Sequence, residues 1–106
     1  MLKDEFRKLL SERIQIELND DYLHDKYWKL ETDLLSKDIN ETIEFLDNDC
    51  TADEFSWISE IFEDIAERTQ SKEYIECLYR VAKKFPEECA VYNIYGSIKI
   101  AEEYID

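Results

Sequence analysis

The chain has 106 residues, of which 27 are acidic and 13 basic, giving a formal net charge of −14. It holds a single glycine and a single proline, too few for a phosphate-cradling loop or a turn-rich β-sandwich. A hydrophobic content of 44% with 13% aromatics is too high for a disordered chain, and the negative charge disfavours direct contact with nucleic acid.

Apolar residues recur at helical spacing almost throughout. A first segment, about Lys3 to Leu18, carries Leu2, Phe6, Leu9, Leu10 and Ile14 on its inward side. After the polar break Asn19-Asp20-Asp21, a second segment runs from about Tyr22 to Leu35 with Leu23, Tyr27, Leu30 and Leu34 inward. The two could fuse into one bent helix. Asp38-Ile-Asn-Glu41 reads as a capping box opening a third helix to about Asp47, with Ile39, Ile43 and Leu46 inward. Thr51-Ala-Asp-Glu54 is a second box, opening a helix from about Ala52 to Arg68. Ser71 caps a fifth helix, about Lys72 to Lys84, with Tyr74, Ile75, Leu78, Val81 and Ala82 inward. Pro86 ends that helix and suits the first turn of a sixth, running to about Ile105 and burying Val91, Ile94, Ile98, Ala101 and Ile105. Gly96 lies inside it, as a close helix contact or a weak point costing about 1 kcal/mol relative to Ala. The expectation is an all-α compact bundle of five to six short antiparallel helices forming one domain, residues 1–106.

No apolar stretch reaches the ~18 residues of a membrane helix. The opening Met1-Leu2-Lys3-Asp4-Glu5 lacks the apolar run of a secretory signal, so a cytoplasmic location and no membrane partner are expected. Cys50, Cys77 and Cys89 are odd in number and form no C-x-x-C pair, which suits reduced thiols better than a disulfide framework.

Few residues combine into reactive chemistry. His24 is the sole histidine; Asp21 stands one helical turn before it, but a di-iron or zinc site needs further ligands at matching spacing. Asp47-Asn-Asp49-Cys-Thr51-Ala-Asp53 begins like a calcium loop, yet has Ala52 at the sixth position and Ile58 at the twelfth. Glu41-Thr-Ile-Glu44 and Glu60-Ile-Phe-Glu63 resemble the paired carboxylates of all-α nucleotide pyrophosphatases. On helical wheels both pairs point away from their apolar stripes, whereas a metal site needs them to converge. The reading is a non-enzymatic protein without cofactor or metal.

The helix expected from Ala52 to Arg68 is the most informative. With Trp57 at zero, Phe55, Ile58, Phe62, Ile65 and Ala66 fall between about 80° and 180°, with Ile61 near 40°, as the core stripe, and Asp53, Glu60, Glu63, Asp64 and Glu67 between about 240° and 340°. Five carboxylates then share one face, with Trp57 on its seam. A solvated face is the plain reading; the sharper one is a docking surface for a basic protein, where carboxylates steer association and the tryptophan anchors it. A charge of −14 also exceeds the magnitude of about 2–8 that solubility needs. Tyr92 and Tyr95, with Lys99 and Glu103, form a second candidate patch, and Asp20, Asp21 and Asp25 a weaker third.

The run Phe55-Ser-Trp-Ile-Ser-Glu-Ile-Phe-Glu-Asp-Ile-Ala-Glu-Arg-Thr-Gln-Ser, followed by Lys83-Lys-Phe-Pro-Glu-Glu and Tyr92-Asn-Ile, resembles small all-helical immunity proteins of bacterial contact-dependent inhibition and related polymorphic toxin systems. The resemblance covers roughly residues 50 to 105 and lies in texture and spacing. It implies a binding protein that neutralises a cognate toxin domain, often a basic nuclease. The alternative of another class is an acidic adaptor, or a nucleic-acid-mimicking regulator of a basic protein.

Overall fold

Helical periodicity does become helix along nearly the whole chain. The computed structural model describes the backbone of residues 2–17 and 21–106, with side chains at 2–15 and 25–106. Among the described residues there are eight helices and no strand: α1 (Leu2–Glu17), α2 (Asp21–Lys37), α3 (Ile39–Asn48), α4 (Ala52–Ser59), α5 (Phe62–Thr69), α6 (Lys72–Ala82), α7 (Pro86–Tyr92) and α8 (Ile94–Glu103). No described helix is long and apolar enough to cross a membrane. The expectations for His24, Asp20 and Asp21 fall outside the described side chains.

The count exceeds the expected five to six because two expected helices are each divided. The first division is at Glu60-Ile61. The amide of Ile61 donates to the carbonyl of Ile58 at 2.9 Å, tightening the last turn of α4, and Ile61 takes φ −117°, outside the helical range. In a straight helix Ile61 would stand about 40° from Trp57, at the margin of the core stripe. The break turns it inward, and Ile58, Ile61, Phe62 and Ile65 are all fully buried. It also creates a new helix N-terminus with Glu63 and Asp64 in the first turn, where a carboxylate meets the positive end of the dipole. The second division is at Asn93, which adopts the left-handed conformation at φ 51° and donates its backbone N–H to Cys89 O as the cap of α7. Asn tolerates this region better than most residues. Gly96 serves this turn and not a helix–helix contact: a Cβ there would lie 2.5 Å from Asn93 Nδ2.

The three caps read from sequence are present in part or in full. Thr51 N donates to Glu54 Oε1 at 3.0 Å, and Glu54 N donates to Thr51 Oγ1 at 3.1 Å, a complete box. Ser71 Oγ accepts from Tyr74 N at 3.1 Å. Asp38 Oδ1 accepts from Glu41 N, but Glu41 does not reach back; its Oε1 accepts from the amide of Leu2 and ties α3 to the start of α1.

All eight helices feed one apolar cluster, from Phe6 and Leu10 on α1 to Ile98 and Ala101 on α8. The Cα radius of gyration, 13.0 Å, matches the roughly 13 Å expected of a folded chain of this length. α1 packs on α2, α3 on α6, α5 on α8, and α4 against both α7 and α8. Three expected core residues are displaced. Val91 is 73% exposed because the turn at Asn93 separates its register from that of Ile94 and Ile98. Ile14 and Leu30 are exposed, and the neighbouring Arg13 and Glu31 point inward instead, each 0% exposed. An ion pair at the α1–α2 contact has taken positions that the apolar pattern assigned to its neighbours.

Candidate functional site

Arg13 and Glu31 are the pivot of the molecule's surface chemistry. Arg13 Nη1 donates to Glu31 Oε1 at 3.3 Å, and its Nη2 donates to Glu60, at the α4–α5 break. The guanidinium carbon also lies 4.9 Å from the Trp57 ring centroid and 5.8 Å from that of Trp28. A buried arginine is tolerated only when carboxylates and aromatic faces replace its water, and both are supplied here. Arg13 and Glu31 were not legible as site residues, since only apolar residues enter a periodicity argument.

On one side of this cluster lies a groove of about 390 Å³ between α4 and the α7–α8 corner, lined by Asp53, Ser56, Trp57, Ser59, Glu60, Tyr92 and Ser97. It brings together four residues expected from sequence, Asp53, Trp57, Glu60 and Tyr92. A shallower extension along α8 adds Glu63 and Ile100. No basic side chain lines either part. Among the described residues Asp53 and Glu63 form no ion pair, and Glu60 is half-exposed beside Arg13. Tyr92 is 57% exposed, and Val91, Tyr95 and Ile100 are exposed on the same two helices. Lys99 is the sole basic residue on α4, α7 and α8 together.

The other expected carboxylates lie elsewhere, which corrects the single five-carboxylate face. Asp64 and Glu67 face a second groove of about 380 Å³ with Trp28, Lys29, Thr32 and Arg68. Asp64 Oδ2 accepts from the Trp28 indole at 2.8 Å, and Arg68 pairs with Asp33. The stripe divides because α5 starts afresh after Ile61. Tyr95 lines neither groove.

The remaining chemistry is dispersed. Glu41 and Glu44 line a separate hollow with Leu2, Lys3 and Phe45, so they do not converge with Glu60 and Glu63. Among the described residues no three His, Cys, Asp or Glu side chains are placed to share a metal ion. Burial pushes the thiols of Cys50 and Cys77 up to about 12, where the reactive thiolate is scarce at neutral pH. The Glu54 carboxyl is the converse. Burial raises it, but Arg7, whose Nε donates at 2.7 Å, and the Thr51 amide outweigh burial and hold it below the usual range.

No protein-family model, curated protein or solved structure matches this chain.

Proposed function

We propose that this chain is an immunity-type binding protein that captures a basic toxin domain, often a nuclease, in the groove between α4 and the α7–α8 corner. The observation that carries the reading is the groove's lining: Trp57 and Tyr92 stand among Asp53 and Glu60, with Glu63 alongside and no basic residue. Uncompensated carboxylates attract and orient a cationic partner over tens of ångströms at low salt. An indole and an exposed phenol provide rigid area with little entropy to lose, the usual composition of an interface anchor. The resemblance of residues 50 to 105 to immunity proteins supplies the class of partner. Capture would neutralise the toxin by covering its substrate groove or by docking beside its active site.

The test is biological. Co-production of the chain with the protein domain encoded beside its gene should restore growth to cells that the domain arrests. Asp53→Lys with Glu63→Lys should abolish the rescue while the helical circular dichroism is unchanged. A neighbouring domain that does not arrest growth, or rescue that survives the double reversal, contradicts the proposal.

A further inference from the structure

The groove also carries a sign of which cation it reads. Trp57 and Glu60 form part of its wall, and on their inner side the same two side chains already grip a guanidinium. Arg13 lies behind that wall, fully buried, with its charge on the Glu60 carboxylate and its plane's centre 4.9 Å from the indole centroid. The outer side repeats these ingredients. It presents Trp57, a second aromatic in Tyr92, and the carboxylates of Asp53 and Glu60. Among the described residues Arg13 is shared between two carboxylates, the buried Glu31 and the half-exposed Glu60, and Asp53 adds a further acid to the wall. The volume of about 390 Å³ is at the small end of ligand pockets, which run from roughly 300 to 1,000 Å³.

We propose that this groove selects an arginine side chain of the basic partner over a lysine, seating it against Trp57 and Tyr92 with its guanidinium on Asp53 and Glu60. The inference rests on the docking reading above and narrows it. An arginine is favoured because its planar, weakly hydrated guanidinium stacks on aromatic faces while donating in parallel to carboxylates. An ammonium is a compact, strongly hydrated point charge that gains the Coulomb attraction and little of the stacking.

The test compares two probes of equal charge on the intact isotope-labelled protein, peptides of six arginines and of six lysines, by amide and indole chemical shifts at fixed salt. The arginine peptide should shift the resonances of Asp53, Ser56, Trp57, Ser59 and Ser97, with half-saturation at a concentration roughly two- to five-fold below that of the lysine peptide. Tyr92→Ala, at an exposed position, should remove most of that preference without loss of fold, and Trp57→Leu should do the same where it folds. Equal half-saturation for the two peptides overturns the arginine preference and leaves the docking reading in place. Preference that persists in both variants also overturns it. Shifts confined to other acidic regions, with the groove silent to both peptides, overturn the preference and the docking reading together.

Discussion

Trp28 and Trp57 flank the same buried guanidinium, and each borders a groove with acidic residues, but the two grooves differ in how their charge is spent. Around Trp28, the carboxylates Asp64 and Glu67 share the groove with Lys29 and Arg68, and Asp64 is engaged by the indole N–H. Around Trp57, Asp53 and Glu63 face the groove without an ion pair among the described residues, and the exposed Tyr92 stands opposite. The acidic counts are similar; the compensation is not. A charged surface becomes a docking surface where its charges lack local partners, because paired charges cancel at short range while unpaired ones keep a field that reaches out to about the Debye length, about 10 Å at ordinary ionic strength.

The largest perturbation of this comparison is removal of the shared pivot. Arg13→Ala leaves Glu31 buried without its guanidinium and should cost about 3–5 kcal/mol in urea unfolding. A loss under about 1 kcal/mol would mean that the pivot does not hold the α4–α5 break. Trp28→Phe, which removes the indole donor from Asp64, should cost about 1 kcal/mol and leave arginine-peptide binding at Trp57 intact. Loss of that binding would show that the grooves are not independent.

Glu54 shows what a satisfied carboxylate contributes on the same helix as the unsatisfied Asp53. Its carboxyl is lowered in the folded state, so its stabilisation is present above the unfolded glutamate value of about 4.3 and is lost as pH falls through the lower folded value. Glu54→Gln should therefore lower stability at pH 7, by at most about 1 kcal/mol since Arg7 is well exposed, and the deficit should vanish in acid. A deficit independent of pH would mean that packing, and not charge, is what Glu54 supplies. The smallest expected effect is that of Lys29→Glu. Stability should change by less than about 0.5 kcal/mol, while the Trp28 groove turns net negative and begins to respond to the arginine peptide. A silent Trp28 groove would show that uncompensated charge alone is not sufficient.

The helices and caps were legible because they rest on local chemistry. Thr51, Ser71 and Asp38 each satisfy an amide three residues on, a distance that sequence alone specifies. The breaks at Ile61 and Asn93 were not, since neither carries Gly or Pro; Ile61 turns where tertiary burial outweighs helical continuity, and Asn93 turns over the space left by Gly96. The placement of Trp57 at an edge was visible from its angle to the apolar stripe, and it is half-buried as that angle implies. The meeting of Asp53, Trp57 and Glu60 with Tyr92 was out of reach, because it depends on how α7 and α8 fold back over α4. Arg13 and Glu31 escaped for the opposite reason: a buried ion pair looks like ordinary surface charge until its two helices are packed.

The most direct test is the association rate of the chain with the protein domain encoded beside its gene, the partner proposed above, measured for two variants of equal charge change. Asp53→Lys with Glu63→Lys alters the uncompensated groove; Glu67→Lys with Glu73→Lys alters exposed acids outside it. The first pair should slow association at least about ten-fold and the second only slightly, with both differences shrinking at high salt. Equal slowing by the two pairs would show that net charge, and not the groove beside Trp57, governs capture.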